Sequence, residues 1–190
     1  RLNQVPRVKF ELAAIVSSKV DHVLPSELAD WIIAGATNYR LIDLRDEKDF
    51  LAYHIPSAEN VPTSRVLDAG LLRNERIILY SDGGIHAAQV WMLLRAQGYK
   101  GVTTLFGGLD GWKEDVVFPV TPVTPTADQA AAFARAVQVA AHFGGKPRPA
   151  GSGGAESLTL TIAAPAGAAA SPAPTGKGGT APAKKKKEGC

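Results

Sequence analysis

The segment Ser81-Asp82-Gly83-Gly84-Ile85-His86 gathers a hydroxyl, a carboxylate and an imidazole into six residues, with two glycines between them. It follows the apolar run RIILYS (76–81) and leads into HAAQVWMLLRAQGY (86–99), whose length and spacing predict a strand and then a helix. A loop in that position turns backbone N–H groups and the positive end of the helix dipole toward an anion. The glycines allow the curvature such a loop needs. Ser81, His86 and Asp82 are also the residue types of a hydrolytic triad. All three come from one tight turn, however, and a base needs its orienting carboxylate behind it rather than beside the nucleophile. A serine hydroxyl has no accessible anion at neutral pH. Asp82 adds negative charge beside the loop, and His86 is a cation only when protonated.

The surrounding elements are legible from periodicity. YRLIDLR (39–45), AENVP (58–62), RIILYS and VTTLFGG (102–108) read as short strands. DEKDFLAYHI (46–55), RVLDAGLL (65–72), the 86–99 segment and LDGWKED (109–115) read as helices or helical turns between them, with Val90, Leu93, Leu94 and Gln97 marking the spacing of the longest and Gly98 ending it. Alternation of this kind from Arg40 to Asp115 predicts an α/β domain with a mainly parallel, doubly wound sheet, its strands apolar because both faces are covered. In such a sheet ligands bind beyond the carboxyl ends of the strands. Those ends are Asp43 to Asp46, Val61 to Arg65, Ser81 to Ile85 and Gly107-Gly108, so Asp43, Arg45, Arg65 and Gly107 are expected beside the loop. Asp43 and Arg45 read as an ion pair bracing it. Upstream, 1–23 reads as a helical lead-in with apolar residues at Val8, Leu12, Ile15 and Val16. Ser26 is the expected N-cap of the next helix, which buries Leu28, Trp31, Ile32 and Ala34 and ends at Gly35. Downstream, PVTPVTP is an extended connector. Thr126 and Gln129 have capping-box spacing for a helix over 127–143 with Phe133, Val137 and Ala140 or Ala141 on its apolar stripe. Trp112 is expected in the core, and Trp91 between helix faces.

Two stretches carry a family resemblance. LIDLRDEKDFLAYHIPSAENVP resembles the rhodanese-homology pattern of a strand ending in Asp-x-Arg, an acidic helix, a His-Ile-Pro-Gly-Ala-like turn and an Asn-x-Pro. LFGGLDGWKE resembles the Gly-Gly-x-x-x-Trp closure of the same family. The resemblance covers about Leu24 to Val117 and implies a rhodanese-like domain over 24–118. Active members of the family transfer sulfane sulfur through a cysteine persulfide on a six-residue loop. In that comparison Ser81 stands where the cysteine belongs, His86 where an arginine often stands, and Gly84 at the usual loop glycine. A serine cannot carry sulfane sulfur. The loop 81–86 therefore reads as vestigial, the chain as leaning away from an enzyme, and its role as a non-catalytic binding or assembly module within a larger complex.

The chain has one thiol, Cys190, and it supplies the alternative: a sulfur relay in which a terminal cysteine swings on a tether. A flexible run of roughly 25 residues spans about 25–30 Å. Lys184 to Lys187 stand close before the thiol and favour its thiolate. Composition changes near Lys146, dividing the chain into the domain, a connector and helix over 119–145, and a Gly/Ala/Pro/Lys tail over 146–190 that is expected to be flexible, apart from the alternating segment ESLTLTI (156–162). Residues 1–143 hold 14 Lys/Arg against 16 Asp/Glu, and 144–190 hold 7 against 2. The basic character therefore belongs to the tail, and no nucleic-acid face is expected on the domain. No cofactor motif is present. One cysteine makes no metal-binding cluster, and His22, His54 and His142 are expected to make local hydrogen bonds. The expected partners are proteins contacted by 144–190. Membrane contact is expected only through the lysine run or an N-terminal anchor preceding Arg1. The start at Arg1 favours, slightly, a bacterial periplasmic or membrane-associated location.

Overall fold

The structure, a computed structural model, describes residues 22–151. The predicted helix over 8–16, ESLTLTI, Lys184 to Lys187 and Cys190 lie outside the described residues.

Five strands form one sheet: β1 (His22–Val23), β2 (Arg40–Asp43), β3 (Glu59–Asn60), β4 (Ile77–Tyr80) and β5 (Val102–Leu105). Their order is β1-β5-β4-β2-β3 and every pairing is parallel. β4 is central and wholly buried, which is why it reads as an unbroken apolar run. Its side chains alternate between two cores. Ile78 and Tyr80 join Leu28, Leu41, Leu105, Trp112 and Phe143, while Ile77 and Leu79 join Ile42, Val66, Ala87, Trp91 and Leu94. The doubly wound architecture is thus present. β1 was not foreseen: the sequence places His22 and Val23 in a helical lead-in, but they pair with Thr104 and Leu105. Two residues are too few to display a strand period.

Helix α1 (Pro25–Ile33) starts two residues earlier than expected. Its N-cap is Leu24, not Ser26, because Pro25 takes the first helical position, where its fixed φ fits and its missing N–H costs nothing. Glu27 Oε2 accepts from the Leu24 N–H at 3.0 Å. Leu28 and Ala29 are buried, Trp31 and Ile32 half-buried, and Ala34, the C-cap, is exposed. Helix α2 (Glu47–Ala52) follows β2, and a 3₁₀ turn (Thr63–Asp68) follows β3.

Helix α3 (Ile85–Ala96) runs from the loop after β4 to β5. Its buried face is Ala87, Val90, Trp91 and Leu94, so the stripe lies to one side of the expected Val90/Leu93/Leu94/Gln97 set, and Leu93 is exposed. Trp91 packs in the core between α3 and β5 rather than between helices, its Nε1 donating to Val102 O at 3.0 Å. Helix α4 (Gly108–Trp112) passes into a π-helical turn (Lys113–Val117).

Helix α5 (Ala127–His142) has the capping box foreseen. Gln129 N donates to Thr126 Oγ1 at 3.3 Å and Thr126 N to Gln129 Oε1 at 3.0 Å. Ala140 and Phe143 are its buried contacts, with Val139 beside them and Ala141 exposed. Arg135 bridges to Asp30 of α1 at 2.9 Å, and Phe143 meets the Trp112 ring edge-on at 5.0 Å. Residues 146–148, placed with the tail by composition, run beside 117–121: Lys146 N donates to Val117 O, Arg148 N to Pro119 O and Thr121 N to Arg148 O, at 2.8–3.0 Å. No helix among the described residues is long and apolar enough to cross a membrane.

Candidate functional site

The all-parallel sheet brings the carboxyl ends of its strands to one rim, and the loop 81–86 stands at the middle of it. Ser81 leaves β4 and is 2% exposed. Its Oγ is the one buried side-chain polar atom without a hydrogen-bond partner among the described residues. Asp82 and Gly83 are exposed. Gly84, at φ +89°, is the N-cap of α3, a conformation that glycine adopts without steric cost. The first-turn N–H groups of α3 have no acceptor within the helix, so they and the dipole give the loop an electropositive side.

A second element, the start of α4, locks the loop. Leu109 N donates to Ser81 O at 2.8 Å and Asp110 N to Asp82 O at 3.0 Å. The approach is close enough that a Cβ on Gly108 would lie 2.5 Å from both of those carbonyl oxygens. Gly108 also sits at φ +60°. The Gly107-Gly108 pair is therefore required by contact as well as by conformation. Gly107, at φ +68°, is the N-cap of α4.

Asp43 and Arg45 form the floor next to the loop. Asp43 is fully buried, and its Oδ2 accepts from Arg45 Nη2 at 2.6 Å while Oδ1 accepts from Arg45 N at 2.9 Å and Nε at 3.0 Å. Arg45 Nη2 also donates to Tyr53 O at 2.7 Å, and its Nη1 lies 3.6 Å from Asp82 Oδ1. Burial alone would lower the guanidinium's proton affinity. The hydrogen bonds and charge of Asp43, with smaller help from Asp82, reverse that and leave it raised. Asn60 Nδ2 donates to Arg45 O at 2.8 Å, tying the turn after β2 to β3. Beneath the loop, burial and then the charge of Asp43 push the Tyr80 hydroxyl far above its usual range.

The structure thus gathers Ser81 to His86, Asp43, Arg45 and Gly107 at one rim, but not Arg65. The 3₁₀ turn buries Val66 and carries Arg65 away, to a depression it shares with Arg40, Glu59 and Asp68 at the β3 edge. No triad assembles. Ser81 Oγ has no partner, the exposed His86 has its Nδ1 3.4 Å from Gln89 Oε1, and Asp82 faces Arg45. His54 Nδ1 lies 2.9 Å from Phe50 O and its ring stacks on Phe50. His22 meets Phe106, and His142 meets Phe143.

Asp110 is the site residue that pattern reading missed. A Cβ on Gly83 would lie 3.8 Å from its Oδ2. Burial first, and then the charges of Asp82 and Glu114, raise its carboxyl above the usual range against the opposing pull of Lys113 and Arg45. The available signal was its place immediately after Gly107-Gly108-Leu109, in the element that contacts the loop.

Residues 24–115 match the family model described as a rhodanese-like domain. Two curated relatives are "Probable adenylyltransferase/sulfurtransferase MoeZ" of Mycobacterium tuberculosis, 27% identical over 107 residues and covering 54% of this chain, and "3-mercaptopyruvate sulfurtransferase" of Escherichia coli, 28% identical over 96 residues and covering 50% of it. The matches span only 27% and 34% of those proteins. Among solved structures, the rhodanese-like domain of the Anabaena Alr3790 protein is 27% identical, with a TM-score of 0.46 over 49% of this chain and 73% of that one. These relatives correct one expectation. A purely non-catalytic binding and assembly module is not what their names favour, since both of these curated relatives are named sulfurtransferases. Residues 24–115 have the fold of a rhodanese-like domain.

Proposed function

We propose that this protein relays sulfane sulfur, with Cys190 as the carrier and the loop 81–86 as the place where the sulfur is handed over. Ser81 takes the position that the rhodanese resemblance gives to a nucleophilic cysteine. The observation that carries the reading is an intact loop with a buried, unpartnered hydroxyl at its base, in a chain whose one thiol lies elsewhere. Sulfur transfer needs a thiolate, and Cys190 is the only residue able to supply one.

With thiosulfate as donor, the Cys190 thiolate attacks the outer, sulfane sulfur. A new S–S bond forms, the S–S bond of thiosulfate breaks, and sulfite leaves with the electron pair. An acceptor thiolate on a partner protein then attacks the terminal sulfur of the Cys190 persulfide. The acceptor becomes the persulfide and the Cys190 thiolate is regenerated.

The test is intact-mass spectrometry of the reduced protein before and after exposure to thiosulfate and to polysulfide. The expected result is a gain of one sulfur atom that disappears in Cys190→Ser. A folded protein whose free thiol gains no sulfur from either donor overturns the reading.

A further inference from the structure

The loop has an acidic mouth. Asp82, 65% exposed at its side chain, and Asp110 flank Gly83, with Glu114 on the following turn. The positive charges nearby are committed or few. Arg45 is held by the buried Asp43 and reaches Asp82 at 3.6 Å, Arg148 lies 3.9 Å from Glu114, and Lys113 pulls on the Asp110 carboxyl, so with Asp43 counted the carboxylates still outnumber the Lys and Arg side chains by one. A mouth of this sign repels a free sulfur oxyanion and favours a cationic visitor. At its base the Ser81 hydroxyl is buried without a partner and the first-turn amides of α3 are uncapped, so a polar group entering the loop has donors waiting for it.

The chain contains a visitor of matching chemistry. Residues 184–190 read Lys-Lys-Lys-Lys-Glu-Gly-Cys, a cationic run followed closely by a thiol. We propose that this segment docks in cis on the acidic mouth, with Lys184 to Lys187 against Asp82 and Asp110, and that docking brings Cys190 to the loop. Reach permits it. Thirty-nine residues follow Gly151. Fully extended they span at most about 130 Å, while a domain of this size has a radius of gyration of about 14 Å. The inference rests on the relay reading for its purpose but not for its test, since docking is detectable without any sulfur transfer.

The experiment is disulfide trapping in the full chain. Gly83→Cys places a thiol on the exposed part of the loop, where the added Cβ meets nothing closer than Asp110 Oδ2 at 3.8 Å. Ala130→Cys, exposed on α5, places one away from the mouth as a control. Under mild oxidation the intramolecular disulfide to Cys190 is followed by mass and peptide mapping. The expected result is closure at least tenfold faster for Gly83→Cys than for Ala130→Cys. That advantage disappears when Lys184 to Lys187 are replaced by Gln, or when Asp82→Asn and Asp110→Asn are added. It shrinks in 0.5 M salt, where the screening length falls to about 4 Å. Equal closure rates for the two introduced thiols overturn the docking while leaving the sulfur-gain test of Cys190 intact. An advantage that survives both charge replacements overturns the acidic mouth as its cause.

Discussion

Removing the Asp43 carboxylate should be among the most damaging single changes in this fold. Asp43 is fully buried and the Arg45 side chain is 8% exposed. Asp43→Ala leaves a guanidinium that cannot shed its proton, with the Tyr53 carbonyl at 2.7 Å and the exposed Asp82 at 3.6 Å as its remaining partners. An exposed partner at that distance restores less than about 1 kcal/mol. Breaking one side of a buried pair costs about 3–5 kcal/mol, chiefly because the surviving charge is left desolvated. With a urea slope of about 2 kcal/mol/M, the unfolding midpoint should fall by about 1.5–2.5 M. The mechanism also fixes what the double variant does. Asp43→Leu with Arg45→Met removes both charges at roughly similar volume, so its loss should be far smaller than the sum of the two single losses. Equilibrium urea unfolding followed by tryptophan fluorescence measures the wild type, Asp43→Ala, the two single variants Asp43→Leu and Arg45→Met, and the double variant. A midpoint shift below 0.5 M for Asp43→Ala, or additive losses in the double variant, would refute the reasoning.

Gly108→Ala should cost about 2–5 kcal/mol, from a left-handed backbone and a Cβ driven into the carbonyls of Ser81 and Asp82, and thermal unfolding measures it. Ser57, at φ +69° in the turn between α2 and β3, gives a paired comparison. Ser57→Ala should be less stable than Ser57→Gly by about 1 kcal/mol in urea unfolding, since both lose the hydroxyl and only alanine keeps a Cβ in the left-handed region. Ser81→Ala removes an unpaired buried hydroxyl and should leave stability unchanged or raise it by about 1 kcal/mol, which chemical denaturation will read. Asp110 has a raised carboxyl, so the stability linked to its protonated form is fully present below the usual carboxylate pKa and is lost as pH rises through the higher folded value. Relative to wild type, Asp110→Asn should therefore gain stability on going from pH 3 to pH 7, and a flat difference across that range would count against burial as the cause.

The sheet was legible because β4 and its neighbours are short apolar runs separated by helical ones, and that alternation admits few topologies. The faces of the helices were harder to read. On α3 the sequence offers Ile85, Met92 and Leu93 as readily as Val90 and Leu94, and only contact with β5 selects the face bearing Ala87 and Trp91. β1 was invisible because two residues carry no period. The N-cap of α1 was missed by weighing a serine hydroxyl above the backbone preference of Pro25. Arg65 was placed at the rim by chain order, and the 3₁₀ turn after β3 takes it elsewhere. At the site, the loop and the Asp43–Arg45 pair were legible from adjacent residues. Asp110 was not, because its proximity to Gly83 depends on α4 docking across two loop carbonyls.

That docking explains why the loop keeps its shape without a cysteine. Its geometry is set by the Ser81 and Asp82 carbonyls accepting from Leu109 and Asp110, by the glycines at 84 and 108, and by Arg45 reaching toward Asp82. None of these contacts uses the side chain of residue 81. Replacing that side chain changes which reaction the loop can host while leaving the loop in place. The shape alone is therefore no evidence of a nucleophile. In the proposed relay, two carboxylates at the mouth and four lysines beside Cys190 would give the thiol an electrostatic reason to approach the loop. A relay built in this way separates the residue that carries sulfur from the surface that recognises its partner, so each can change without disturbing the other.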